Sequence, residues 1–253
     1  MTTVFVPFHQ DERLPEGCIR LPDELDVVVV DPVLAPGSQW SRLVELYGAV
    51  AESVTARMAT EQCVTVVSGD CLSALATLTG VQRAGKTAAI VWFDAHGDVH
   101  TMDSSTSGYL GGMALRMAVG GDPDKLTGPL GTQPLREDQA VLVDARDLDP
   151  AEAEFLAASR LRRIPVEDVT ADLLADVPLV VHLDVDVIDA NDLPGLRFPV
   201  LGGPGTDTVI AAVHRLLGSG RVVALDIACP WYPASSPREA AAQASLLTAL
   251  LKR

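Results

Sequence analysis

At 253 residues, 48% of them hydrophobic, the chain is long enough to bury one large core. Its formal net charge of −15 and sequence pI near 4.6 argue against nucleic acid or an anionic membrane surface as the main partner. No apolar run reaches membrane-spanning length and the Met-Thr-Thr start lacks the basic and apolar regions of a signal peptide; the cysteines Cys18, Cys63, Cys71 and Cys229 show no C-x-x-C spacing, so free thiols in a reducing cytoplasm are expected.

Short β-branched runs alternate with helical patterns along the whole length. Val4–Val6 and Val27–Val30 read as strands, followed by a helix over Trp40–Met58. Strand Val64–Val67 leads into helix Leu72–Val81, and strand Ala88–Phe93 precedes helix Gly108–Ala118. The Gly-, Pro- and Asp-rich stretch Gly120 to Glu137 reads as a surface loop. Strand Ala140–Val143, helix Ala151–Ser159 and strand Arg163–Pro165 follow. Strand Leu179–Leu183 runs into a second loop, Asn191 to Gly205, and the chain closes with helix Asp207–Leu217, strand Val222–Ile227 and helix Pro237–Leu251. The alternation and the nearly continuous apolar character of the strands predict an α/β class with a mostly parallel sheet of about eight strands, covered on both faces. No linker or repeat divides residues 1–253, so a single domain is expected.

Two strand ends carry chemistry. IVWFDAHGDVH places Asp94, His96 and Asp98 at alternate positions where an apolar strand stops, and VVHLDVDVID does the same with Asp184 and Asp186. A third stretch, VTVVSGDCLSAL, sets Cys71 at the mouth of a strand-to-helix turn, a place that faces the ligand crevice of open α/β sheets; as a buried residue it would instead be a small apolar filler. Each aspartate alone would pass as a helix cap or turn residue. Together, four carboxylates and an imidazole at the ends of buried strands repel one another and resist desolvation unless cations join them. Two divalent ions balance the four charges, held about 3.5–4 Å apart in two-metal hydrolase sites. Oxygen ligands with one imidazole suit Mn²⁺, with Zn²⁺, Fe²⁺ and Co²⁺ left open.

In these motifs the chain resembles the arginase–agmatinase (ureohydrolase) family. That family's signatures D-A-H-x-D and S-x-D-x-D-x-x-D-P match DAHGD and HLDVDVIDA here, and its G-G-D-H turn corresponds to SGDC. The resemblance runs from about Val64 to the C-terminus, with the first sixty residues contributing little. It implies a three-layer α-β-α arginase-like fold and two Mn²⁺ per chain. Asp94 and Asp184 would bridge both ions, His96 and Asp186 would complete one site, and Asp98 and Cys71 the other, with Cys71 standing where the family places a histidine ligand. It further implies that a hydroxide between the metals attacks an amidine carbon, and that Asp98 passes its proton to the departing amine.

Departures from the family narrow the substrate. STSGYLGG resembles the family's substrate loop: Ser107 would meet an α-carboxylate group, while His100 and Tyr109 occupy positions that are usually asparagine. Gly111 falls where the family carries a proton-transferring histidine, so either the substrate needs no such donor or another group such as His100 supplies it; a surface-facing His100 with no role is the alternative. In ARDLDPAE, Asp149 would grip an α-ammonium with help from Glu152, and Asp149 would also cap the following helix. Cys229, in VVALDIACPWY, stands where arginases carry a glutamate that pairs with the guanidinium; removing one member of a buried ion pair costs about 3–5 kcal/mol. Phe198 would shape the same pocket or serve packing. The expected reaction is hydrolysis of Nω-hydroxy-L-arginine, a weaker base that enters neutral, to hydroxyurea and L-ornithine. Another guanidino, amidine or small amide substrate is the alternative, and a non-catalytic small-molecule or protein binder the third reading. The partner is a small molecule, with no nucleic acid or membrane, and the chain is a monomer or homo-oligomer.

Overall fold

The computed structural model describes residues Thr2–Lys252. Eight strands form one all-parallel sheet: β1 (Thr3–Phe5), β2 (Val27–Val29), β3 (Val64–Ser68), β4 (Ala89–Asp94), β5 (Ala140–Asp144), β6 (Arg162–Ile164), β7 (Leu179–Asp184) and β8 (Val222–Ala228), in the order β2-β1-β3-β8-β7-β4-β5-β6. The central strands β3, β4, β7 and β8 are buried along their full length, which is why their sequences read as unbroken apolar runs. A small antiparallel ribbon, Phe8–His9 with Glu12–Arg13, follows β1.

Among the described residues seven α-helices cover the sheet: α1 (Gln39–Arg57), α2 (Ser73–Arg83), α3 (Ala114–Ala118), α4 (Thr127–Leu130), α5 (Pro150–Ala158), α6 (Thr206–Gly218) and α7 (Pro237–Leu251). Alternation along the strands separates two cores. On one face Val66, Ile90, Trp92 and Ala224 pack under Leu43 and Leu46 of α1 and Leu75 and Leu78 of α2. On the other, Val91, Phe93, Leu183 and Ile227 pack under Val209 and Val213 of α6 and Leu246 and Leu250 of α7. The result is the three-layer arrangement expected. Local capping agrees with it: Ser38 accepts from the Ser41 N–H at the start of α1, and Ser236 from the Glu239 N–H, with Pro237 in the first turn of α7. Truncating a leucine of either core to alanine removes about 2–5 kcal/mol.

Two expectations need correction. Gly108–Ala118 is not one helix, because Gly108 takes a positive φ of 70° that an α-helix excludes; a 3-10 turn, Gly111–Met113, leads instead into the short α3. The segment 120–137 is more than surface loop: it contains α4, and Leu126, Leu130 and Leu135 are buried against the α1–α2 face. No helix among the described residues is long and apolar enough to cross a membrane.

Register brings the chemistry together. Asp184 pairs across the sheet with Ala228, which pairs with Ser68, while Trp92, His182 and Asp226 form one row across β4, β7 and β8. The functional strands therefore end side by side at one rim, where open α/β sheets bind ligands.

Candidate metal centre and substrate cavity

Each motif closes its strand in the same way. The Asp94 carboxylate accepts from the His96 N–H through Oδ1 at 2.7 Å, and the Asp184 carboxylate from the Asp186 N–H through Oδ1 at 2.8 Å. These are the side-chain turns that aspartate favours, so the reading as turn-formers holds for one oxygen of each. The other oxygen is turned into the cluster: Asp184 Oδ2 lies 2.8 Å from Cys71 Sγ, and Asp94 Oδ2 lies 3.9 Å from it. His96 Nδ1 sits 3.2 Å from Asp94 Oδ1 and 3.1 Å from Asp186 Oδ2. Asp186 Oδ1 accepts from the Ala95 N–H at 3.2 Å, tying the two motifs together. Asp98 takes a left-handed φ of 53°, a conformation rarely adopted by residues with a side chain.

Cys71 follows Asp70, a fully buried carboxylate that accepts from the Tyr47 hydroxyl at 2.9 Å and the Leu72 N–H at 2.9 Å. That anchor fixes the turn and delivers the thiol to the rim. On the opposite side, Arg146 binds Asp144 and donates to the carbonyls of Val187 (3.0 Å) and Val200 (2.9 Å). It thereby pins the loop that carries Phe198.

The electrostatics are those of crowded like charges. Burial first, and then Asp94 and Asp184, push the Asp98 carboxyl well above its usual range. Burial, Asp186 and Asp94 do the same to Asp184, and burial with the three nearest carboxylates to the Cys71 thiol. Burial and Asp94 raise Asp186 to about 6. Burial opposes a charged His96, yet its bonds to Asp186 and Asp94 push it up to about 12, and His96 in return outweighs burial at Asp94 and holds that carboxyl below its usual range.

Every site residue named from the sequence except Cys229 lines one cavity of about 260 Å³, joined by Asp147 and Gly112. His100 is buried at its inner edge, with Nδ1 3.0 Å from Ser104 Oγ and Nε2 3.0 Å from Asp149 Oδ2. Asp149 stands at the N-cap position of α5 and also on the cavity wall, so its two suggested placements coexist. Glu152 is buried and accepts from the N–H groups of Asp149 (3.1 Å) and Val99 (3.3 Å); burial raises its carboxyl. A Cβ at Gly97 would come within 2.7 Å of Glu152 Oε1, which accounts for the glycine inside DAHGD. Ser107 lies exposed at the mouth, its hydroxyl accepting from the Tyr109 N–H at 3.2 Å.

Tyr109 explains the glycine at position 111. A Cβ there would approach the Tyr109 ring to 2.4 Å, so the phenol fills the space a side chain at 111 would use. Its ring stacks against His9 at 5.8 Å and packs on Phe198 at 4.7 Å, while Phe198 meets the His96 ring edge-on at 6.3 Å. Burial raises the Tyr109 hydroxyl well above its ordinary range, so it acts as a neutral phenol.

Cys229 is the exception. It follows Leu225 and Ile227 by strand alternation into the α6–α7 core, 1% exposed and off the cavity wall. Its thiol, raised by burial and by Asp184, supplies no anion.

His182 escaped the sequence reading. It is fully buried, with Nδ1 2.8 Å from Asp226 Oδ1, and offers a ring nitrogen within 4.8 Å of ligand atoms of both Cys71 and Asp94. The available signal was the histidine standing first in HLDVD, where the quoted signature begins with serine.

The residues fit a pair of divalent ions on three counts. The donors form two overlapping groups, Asp94 with His96 and Asp186, and Asp94 with Cys71 and His182. Among the described residues Asp98 Oδ2 and His182 Nε2 are buried without a hydrogen-bond partner. Burial and mutual repulsion push the Asp98 and Asp184 carboxyls well above their usual range, a strain that bound cations would relieve.

Comparison with known proteins agrees with this picture. The sequence model of the arginase family matches residues 19–251, so the likeness begins well before Val64 and takes in β2 and α1. The Nω-hydroxy-L-arginine amidinohydrolase of Streptomyces lavendulae is 33% identical over 204 residues, covering 79% of this chain and 72% of that protein. The arginase of Bacillus subtilis is 30% identical over 174 residues, 64% of this chain but only 59% of its own length. The crystal structure of arginase from Bacillus cereus superposes with a TM-score of 0.82 over 99% of this chain and 97% of that one, at 21% identity, a likeness of fold.

Proposed function

The chain belongs to the arginase family of C–N hydrolases, and within it we propose that it is a binuclear amidinohydrolase whose substrate is Nω-hydroxy-L-arginine, cleaved with water to hydroxyurea and L-ornithine. The observation that carries the reading is the convergence of Cys71, Asp94, His96, Asp98, Asp184 and Asp186 on the wall of one amino-acid-sized cavity. The similarity to the Streptomyces lavendulae enzyme supports the substrate.

Asp94 and Asp184 would hold both ions, with His96 and Asp186 at one end and Cys71 and Asp98 at the other; the oxygen- and imidazole-rich His96 end suits Mn²⁺. Bound there, two divalent ions supply Lewis acidity and make a water acidic enough to act as a nucleophile near neutral pH. Asp98 Oδ2, buried and without another partner, takes the proton released in the attack and hands it to the ornithine amine as the C–N bond breaks. Asp149 and Glu152 receive the substrate's α-ammonium, and Ser107 its α-carboxylate. His100, bonded to both Ser104 and Asp149, orients that acidic grip.

The choice against arginine rests on charge. A guanidinium entering this cavity finds a neutral phenol at Tyr109, and Cys229, turned away into the α6–α7 core, gives it no anion. An N-hydroxyguanidine enters uncharged and needs none. The experiment is a side-by-side assay of arginine and Nω-hydroxy-L-arginine, measuring urea and hydroxyurea release with metal quantitation on the same samples. Hydroxyarginine should be preferred by about 100-fold or more in kcat/KM, the worth of one unpaired buried charge. Equal turnover of arginine removes the substrate assignment and leaves the hydrolase.

A further inference from the structure

We propose that His182 is itself a metal ligand, completing the Cys71 end of the centre through Nε2; the inference rests on the binuclear reading above. His182 lies two residues before Asp184 in β7, on the same side of the strand, and is fully buried. Its Nδ1 faces Asp226 Oδ1 at 2.8 Å. Asp226 is used as an acceptor throughout, taking the Ser73 hydroxyl at 2.9 Å and the Thr77 hydroxyl at 2.6 Å. The hydrogen therefore sits on Nδ1, and Nε2 keeps its lone pair.

That lone pair is buried and has no hydrogen-bond partner among the described residues. A ring nitrogen of His182, Cys71 Sγ and an Asp94 oxygen lie within 4.8 Å of one another, against about 3–4 Å between ligands that bind one ion at about 2.0–2.3 Å. The ring is held on both sides of the chemistry. Trp92 packs on it at a centroid distance of 3.9 Å, and the Trp92 indole N–H donates to Asp94 Oδ2 at 3.4 Å. A carboxylate behind Nδ1 fixes the tautomer and raises ligand basicity, the arrangement found behind metal-bound histidines generally.

The consequence is a centre with two unlike ends. Asp94, His96 and Asp186 present oxygen and one imidazole, whereas Cys71, His182 and the shared carboxylates present sulfur, nitrogen and oxygen. The second set is the donor set of Zn²⁺, Co²⁺ or Fe²⁺ rather than Mn²⁺.

The test uses the intact chain, stripped of metal and loaded with a spin-active cadmium isotope after labelling its histidines with nitrogen-15. Two histidines, His96 and His182, should show cadmium–nitrogen coupling. Coupling at His96 alone overturns the proposal and leaves the binuclear reading standing; no cadmium uptake overturns both. Titration with Co²⁺ gives an independent measure. His182→Ser should weaken the thiolate-linked Co²⁺ equivalent by about 100-fold, and Asp226→Asn, which removes the acceptor that fixes the tautomer, by about 10-fold. A His182→Ser protein that folds and binds this equivalent as the parent does overturns the assignment.

Discussion

The two ends of the acidic cluster solve the same electrostatic problem differently. At the His96 end an imidazole lies between Asp94 and Asp186 and carries the compensating charge, and its side chain is 28% exposed, within reach of water. At the Cys71 end no lysine or arginine lines the cavity among the described residues; Asp98, Asp184 and the thiol are buried together, and each is pushed toward its protonated form. One end holds a compensating imidazole, while at the other the crowded acids are pushed toward neutrality. Metal should therefore matter more to the stability of the Cys71 end than to that of the His96 end.

The sharpest way to break this contrast is to remove the group the two ends share. Asp184→Ala should lower kcat/KM by about 10³-fold or more and abolish stoichiometric binding at both positions, as read by metal analysis of the purified variant. His96→Ala, by comparison, should empty one position and leave Co²⁺–thiolate absorption at the other.

Metal removal tests the contrast through pH. In the metal-free protein, Asp98, Asp184 and Asp186 carry raised folded values, and His96 is raised to about 12. All four shifts mean that the native state binds more protons than the unfolded chain. The stability they contribute is thus greatest in mild acid and declines as pH climbs above about 4, through the Asp186 value of about 6. Loading metal requires those protons to leave, so the gain in Tm on loading should widen between about pH 5 and pH 8. Melting curves with and without metal across that range decide it; a gain that shrinks with rising pH contradicts the assignment of protons to the Cys71 end.

A smaller effect belongs to the aromatic wall. Gly111→Ala forces its Cβ into the Tyr109 ring, and should raise KM by about 10-fold through displacement of the phenol. Adding Tyr109→Ala opens the space, so the double variant should relieve the strain, seen as a recovered Tm; a further loss would place the clash elsewhere. Smallest is Ser107→Ala, which removes one exposed contact worth about 1 kcal/mol, a KM increase of about 5-fold with kcat unchanged.

Much of this was legible in the sequence, for physical reasons. Strands buried on both faces leave unbroken apolar runs, and a carboxylate at the end of such a run is conspicuous because so little else polar is near. The D-x-H-x-D and D-x-D motifs needed only period-two alternation to be placed together. What escaped depended on contacts distant in the chain. The burial of Leu126, Leu130 and Leu135 depends on α1 and α2 covering a stretch of turn-forming residues. The direction of Cys229 follows from where β8 ends, and one residue of register sends it into the opposite core. His182 looked like one polar residue in an apolar strand, and only its row with Trp92 and Asp226 gives it meaning. Gly111 read as a loss, when it is the room Tyr109 requires.

Trp92 has an experimental use of its own. Its indole packs against His182 and bonds to Asp94, at the edge of the cluster, whereas Trp40 and Trp231 lie elsewhere in the fold. Paramagnetic ions quench a fluorophore at such short range, so the native emission of this protein is a built-in gauge of loading, readable in a cuvette without label or substrate.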